Sequence, residues 1–273
     1  MDNKVLVLAG MHRSFTSLAG NWLHACGLNI GDKVLGAGLG NTDGHFEDLD
    51  FLNLHEELLI DHQVSGKGFI SGPLAELSTY QKKKLKALIG FKNSLHPQWG
   101  WKEPRTCLFL DHYREIIPQA YYLIIIRDFN STVNSLIQRD LRQLDQLYES
   151  RNWFSRQYWK RFNRSKNSRK RFQTHSEFYL SVWVNYNEMI LKHMRSLPQK
   201  QFMLIDHHKL KRADHKIFYR LTGEWEFSLQ YTAFSKIYKK ELLSETSDIR
   251  TYITDHRLMI RARAIEKELT WFL

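Results

Sequence analysis

The sequence predicts an α/β domain, a parallel sheet with helices on both faces, and three observations lead there. Short uninterrupted apolar runs recur along the chain, each lies beside a stretch whose apolar residues repeat at helical spacing, and glycine or proline marks the joins. The first run, Lys4 to Gly10, breaks at its glycine and passes into Thr16-Ser17-Leu18-Ala19, where Leu18, Trp22 and Ala25 hold a helical stripe until Gly27. Trp99 to Lys102 is a shorter strand candidate, followed by a predicted helix over Thr106 to Ile117. Ala120 to Ile126 follows Pro118, is apolar throughout and β-branched at its end, and stops at Arg127-Asp128, as a strand buried on both faces does. Gln201 to Ile205 follows the helical stripe Tyr179, Trp183, Tyr186, Ile190, Met194 and Leu197. The stretches Gly31 to Gly44, Ser65 to Pro73 and the segment after Arg151 read as loops or caps, so residues 1–273 are expected to form one domain.

Length and composition exclude several classes. At 273 residues with 42% hydrophobic and 25% charged residues, the chain can build a substantial core and is neither disordered nor fibrous. Its longest apolar runs fall far below the roughly 20 residues needed to span a bilayer. The N-terminus lacks a signal-peptide core, and Cys26 and Cys107 form no disulfide or zinc pattern, so a soluble cytoplasmic protein is expected. The formal charge of +11 favours an anionic partner. Much of the excess sits between Arg151 and His175, which hold nine Lys or Arg and no Asp or Glu. There Trp153, Phe154, Tyr158 and Phe162 keep a helical stripe, whereas Asn163 to Lys170 has no apolar residue and is expected to be a mobile loop. The segment admits three readings: a nucleic-acid surface, a lid over an acidic acceptor, or a helix with a solvated cationic face.

Two constellations carry chemistry. The first strand delivers Gly10-Met11-His12-Arg13-Ser14-Phe15-Thr16-Ser17 to a helix N-terminus, where unpaired N–H groups and the helix dipole favour a phosphate. The loop is P-loop-like in position, yet it lacks the Lys and the glycine spacing of GxxxxGK[ST], which weakens a kinase or ATPase reading. Hydroxyls there also serve as ordinary N-caps. In the second, Arg127 stands at the end of a buried strand and Ser135 lies in the following helix, so both can face one anion. Ligands of open α/β sheets bind at the carboxyl ends of strands, and two anion sites on one edge imply a ligand with two phosphate groups. The alternative is an Arg127 paired with Asp128.

These residues resemble the sulfotransferase family that uses 3′-phosphoadenosine 5′-phosphosulfate, with bacterial-type and tyrosylprotein-type likenesses. Arg13-Ser14-Phe15-Thr16-Ser17 is similar to the family's loop for the 5′-phosphosulfate, and Arg127 with Ser135 to its 3′-phosphate pair. Lys102-Glu103-Pro104-Arg105 and Asn41-Thr42-Asp43-Gly44-His45-Phe46-Glu47 resemble two further family motifs. A looser likeness recurs at Asp206 and at Leu221-Thr222-Gly223. The resemblance implies a sulfotransferase moving a sulfuryl group to a hydroxyl on a small-molecule or glycan acceptor, such as a carbohydrate or glycolipid carrying negative charge, without a metal. It places His12, Arg13, Ser14, Phe15, Thr16, Ser17, Arg127 and Ser135 at the cofactor. Arg13 and Lys102 are the candidates for stabilising charge on the leaving oxygen, with surface cations as the alternative for both. Glu47 is the candidate base, with His45 and His12 as rivals and a helix-capping carboxylate as the alternative role of Glu47. Phe15 departs from the family, which has Gly at that position. At positive φ a Phe is strained, so the loop must either change conformation or tolerate that strain. His207 and His208 are adjacent and have no third ligand at metal-binding spacing. The rival functions are a non-catalytic nucleotide or nucleic-acid binder on the same fold and a nucleotide kinase with an atypical loop. A nucleic-acid partner ranks behind the acceptor reading.

Overall fold

Four parallel strands stand at the centre, β1 (Lys4–Ala9), β2 (Gln98–Lys102), β3 (Tyr121–Ile126) and β4 (Phe202–Asp206), in the order β2-β1-β3-β4. The computed structural model describes residues 3–36, 44–238 and 247–273, with Lys160 described in its backbone alone. Asn41, Thr42 and Asp43 of the sequence motif lie outside the described residues. Leu6 pairs with Gly100 on one side of β1 and with Tyr121 on the other, and Tyr122 of β3 pairs with Phe202 of β4.

Successive residues of a strand point to opposite faces, and both faces are covered. Val5, Val7 and Ala9 meet a large cluster drawn from α2 (Leu49–Asp61), α3 (Thr79–Leu95), α4 (Leu110–Ile116), α5 (Phe129–Glu149), α7 (Arg164–Ser196) and α10 (His256–Trp271). Leu6, Leu8, Leu123 and Ile125 meet α1 (Thr16–Ala25), α8 (His207–Arg212) and α9 (Asp214–Tyr219). The predicted α/β sheet with helices on both faces is the observed one. Among the described residues no helix is long and apolar enough to cross a membrane.

Two local expectations are corrected. The helix expected over Thr106 to Ile117 is a 3₁₀ turn, Pro104–Leu108, followed by α4. Phe109 separates the two, its φ of −123° and ψ of 12° lying outside helical geometry and breaking the run. Asn163 to Lys170, expected as a mobile loop, is a π turn ending at Asn163 that runs directly into α7. The segment has no Gly or Pro, and α5 supplies carboxylates where an apolar face is missing: Arg164 grips Asp145 at 3.0 Å and Arg171 lies 3.9 Å from Asp140. The basic segment Arg151 to His175 is therefore helical, with a short α6 (Trp153–Tyr158) at its start.

The direction of α7 sets the shape of the site. His193 packs its ring against Tyr122 at the start of β3, 4.4 Å between centroids, and the Trp183 indole N–H donates to the Arg127 carbonyl just past the end of β3, 3.1 Å. Residues 164–182 therefore continue beyond the carboxyl edge of the sheet, about 28 Å at 1.5 Å per residue. The second half of α5 accompanies them, held by the Tyr179 hydroxyl on Asp140 at 2.5 Å. A helical hairpin thus overhangs the edge where ligands of such sheets bind.

Candidate active site

The loop between β1 and α1 approaches the sheet closely. A Cβ on Gly10 would lie 2.4 Å from the Ile125 carbonyl oxygen, so only glycine lets the chain turn there. Arg13 and Phe15 both have φ 68°, and left-handed residues alternating along a loop turn successive N–H groups toward one point, an anion-binding geometry. Phe15 takes the left-handed conformation that glycine adopts freely, at about 1 to 2 kcal/mol of strain. Its ring stacks on His207 at 4.6 Å and underlies the Arg127 guanidinium at 4.6 Å. Ser14 and Thr16 are buried at the base of the loop, and Ser17 is half-buried on the first turn of α1.

The two constellations singled out in the sequence meet at this loop. Arg13 Nε donates to Ser135 Oγ at 2.8 Å, and Arg127 donates to the Arg13 carbonyl at 3.0 Å. The expected alternative pairing of Arg127 with Asp128 is not formed; Asp128 caps α5 by accepting from the Ser131 N–H at 2.7 Å. Arg139 and Arg142 follow Ser135 at i+4 and i+7, the same face of α5, and join the cluster. Burial, then the charges of Arg142, Arg139 and Arg127, lowers the Arg13 guanidinium to about 10. Among the described residues the buried Nε atoms of Arg127, Arg139 and Arg142 have no hydrogen-bond partner. Crowded cations with unused donors are the arrangement that an anionic ligand relieves.

On the β2 side, Lys102 is 1% exposed and donates to Glu47 Oε1 at 2.8 Å and to the His45 carbonyl at 2.9 Å. This is a buried ion pair, so the surface-cation alternative for Lys102 does not hold. The helix-cap alternative for Glu47 does not hold either, because Asp48 caps α2 through the Asp50 and Phe51 N–H groups. The segment that carries Glu47 is tied down twice. Leu35 donates its N–H to the Glu47 carbonyl at 2.7 Å, and Lys92, buried on α3, lies 2.8, 3.0 and 2.6 Å from Asp32, Asp48 and Asp50.

Beneath Lys102 lies a polar chain fully enclosed in the core. Glu103 accepts from His55 Nδ1 at 2.5 Å and from Arg105 Nε at 2.8 Å, and His55 Nε2 meets the Tyr113 hydroxyl at 2.6 Å. His12 points to the same region, against Phe69 at 5.0 Å and Tyr186 at 6.1 Å, and its Nε2 has no hydrogen-bond partner among the described residues. Burial is the main reason its pKa falls to about 3, with Arg139, Arg105 and Lys102 adding to the effect against Glu103. His45 is also lowered, first by burial. An unfolded His takes up its proton near 6.5, so the stability contributed by neutral His12 is complete above that pH and is lost as pH falls toward 3. The melting temperature of His12→Gln is therefore expected to depend less on pH than wild type between pH 6.5 and 4. Parallel curves in a thermal melt series would exclude a perturbed His12.

The structure brings Arg13, Ser14, Phe15, Thr16, Ser17, Arg127 and Ser135 together on one side of the cleft and His12, His45, Glu47 and Lys102 on the other. Motif reading missed Arg139, Arg142 and His55, and it noted Glu103 and Arg105 without the chain they form with His55. The i+4 and i+7 spacing from Ser135 was a usable signal for the first two, whereas pairing of His55 with a residue 48 positions away leaves none in sequence. Among the described residues no group of three His, Cys, Asp or Glu is placed to hold a metal ion. His207 and His208 instead open α8 with rings 3.8 Å apart.

The architecture is an open parallel α/β scaffold, of the kind that takes ligands at the carboxyl edge of its sheet. More particularly, the chain has the sulfotransferase fold. Sulfotransferase STF9 from Mycobacterium avium superposes with a TM-score of 0.56 at 14% identity, covering 98% of this chain and 76% of that one. The sulfotransferase domain from the curacin biosynthetic pathway gives 0.51 at 13% identity over 99% and 98%, and that of the Synechococcus PCC 7002 olefin synthase 0.51 at 12% over 100% and 97%. At these identities it is the fold that is shared. No protein-family model matches the chain, and no curated relative does.

Proposed function

We propose that this chain is a sulfotransferase that transfers a sulfuryl group from 3′-phosphoadenosine 5′-phosphosulfate to the hydroxyl of an anionic carbohydrate or glycolipid. The observation that carries the proposal is the junction of Arg13, Ser135 and Arg127. Residues 122 and 114 positions apart in sequence meet at hydrogen-bond distance on the carboxyl edge of this fold. The orphaned Nε of Arg127 and the mutually repelling arginines fit a ligand with two anionic groups.

The bound donor supplies a sulfuryl group whose departure leaves charge on the bridging oxygen. Arg127 and Ser135 hold the 3′-phosphate, while the loop N–H groups, Ser14, Thr16 and Ser17 cradle the 5′ end. Arg13 and Lys102, one from each side of the cleft, stabilise the developing charge. Glu47 accepts the proton of the acceptor hydroxyl, and its bond to Lys102 fixes the carboxylate at the charged end of the site. Burial holds the His12 imidazole well below its ordinary range and weakens it as a base. The cation-lined cleft favours an acceptor with its own negative charge.

Thermal shift with 3′,5′-adenosine bisphosphate, the nucleotide product, tests the donor assignment. At about 100 times its dissociation constant, stabilisation of about 2.7 kcal/mol should raise the melting temperature by about 5 to 10 °C. Arg127→Ala should weaken binding by about 10- to 100-fold through loss of charge-assisted bonds. Equal stabilisation by AMP, ATP and the bisphosphate would remove this donor and return the kinase and plain-binder readings.

A further inference from the structure

The tip of the overhanging hairpin presents a surface that the proposed chemistry does not use. Trp159 fastens the tip from inside: its ring lies on Tyr148 at 4.1 Å, nearly parallel, and its indole N–H donates to Asp145 at 2.9 Å. Around it Trp153, Phe154, Tyr158 and Phe162 turn outward, 58%, 76%, 59% and 58% exposed. Four large aromatics left in water on ten residues of chain are unusual for a surface without a partner. Arg151, Arg156, Arg161, Lys166, Arg169 and Lys170 surround them and form no ion pair among the described residues.

We infer that this tip is a docking surface for an anionic lipid bilayer. Aromatic rings interleaved with long cationic side chains suit the bilayer interface, where rings sit at headgroup level and Lys and Arg reach back to lipid phosphates. The charge complementarity is one-sided, with nine cations and no carboxylate between Arg151 and His175. A second copy of the chain is a poor occupant, since a two-fold contact would bring this cationic tip against itself. Single-stranded nucleic acid is bound by a basic groove with stacking platforms. Here the rings stand on a helical tip and meet one another at angles, Trp153 against Phe154 at 83° and Tyr158 against Phe162 at 40°. The tip lies past the same sheet edge as the cleft, so docking would turn the mouth of the site toward the headgroup layer.

Cosedimentation of the whole chain with phosphatidylcholine vesicles, and with vesicles in which phosphatidylglycerol replaces about a third of that lipid, tests the inference. The expected result is strong partitioning onto the anionic vesicles alone, reversed by high salt. The variant Trp153→Ser/Phe154→Ser/Tyr158→Ser/Phe162→Ser should lose about 100-fold in partitioning, the apolar part of the attachment. Arg156→Gln/Arg161→Gln/Arg169→Gln should lose about as much at low salt, from roughly fivefold per cation. The replaced side chains are exposed except Arg156, which is half-buried, and unchanged circular dichroism melts identify both variants as folded. Equal binding to both vesicle types, no loss in the aromatic variant, or binding to an oligothymidylate in place of vesicles would each overturn the inference. Vesicle binding is read without donor or acceptor, so it stands or falls separately from sulfuryl transfer.

Discussion

Glu47→Gln is expected to lower turnover by about 10³-fold while changing the affinity for 3′,5′-adenosine bisphosphate by no more than about twofold. The substitution keeps the shape of the side chain and removes its ability to take a proton. It also leaves buried Lys102 without its carboxylate, although the His45 carbonyl still accepts from Lys102 at 2.9 Å. Glu47→Asp separates the two consequences, because it retains the charge opposite Lys102 and displaces the proton acceptor by one methylene. Single-turnover measurements should rank wild type well above Asp, and Asp above Gln. Wild-type turnover in Glu47→Gln would take this residue out of the mechanism.

The largest effect on stability is expected at Glu103. Burial pushes its carboxyl up, but the His55 hydrogen bond and the charges of His55 and Arg105 outweigh it and hold the pKa near 2. Its stabilising contribution is therefore complete above the ordinary carboxylate range, near pH 4.5, and is lost as pH falls toward 2. Glu103→Gln leaves the Arg105 guanidinium buried without a counter-charge, a loss of about 3 to 5 kcal/mol. For a chain of this size the melting temperature should fall by about 10 °C. A fall under about 2 °C in calorimetry would show that the chain of polar groups under Lys102 contributes little to the fold.

Strands were legible because their signals are local. The runs ending at Ala9, Lys102, Ile126 and Asp206 are short and apolar, as doubly covered strands must be, and the structure shifts their expected bounds by only a residue or so. The meeting of Arg13, Arg127 and Ser135 was legible because each stands at a fixed distance from a strand end on one edge of the sheet. What escaped depends on partners distant in sequence. Nothing near Asn163 to Lys170 announces that Asp140 and Asp145 of another helix will hold those cations in a helix. The same holds for His55, whose carboxylate partner arrives with β2. The capping box of α3 at Ser78 and Gln81 escaped for a different reason, being a local signal that motif reading passed over.

Phe15 in the left-handed conformation has a consequence for binding thermodynamics. A glycine there would let the loop between β1 and α1 sample many backbone states, and a ligand would have to select one of them. A phenylalanine ring clasped between His207 and Arg127 removes that freedom before any ligand arrives. The entropy of ordering the loop is settled during folding, so association with a bisphosphate nucleotide should proceed to a ready-made cradle with little conformational entropy change.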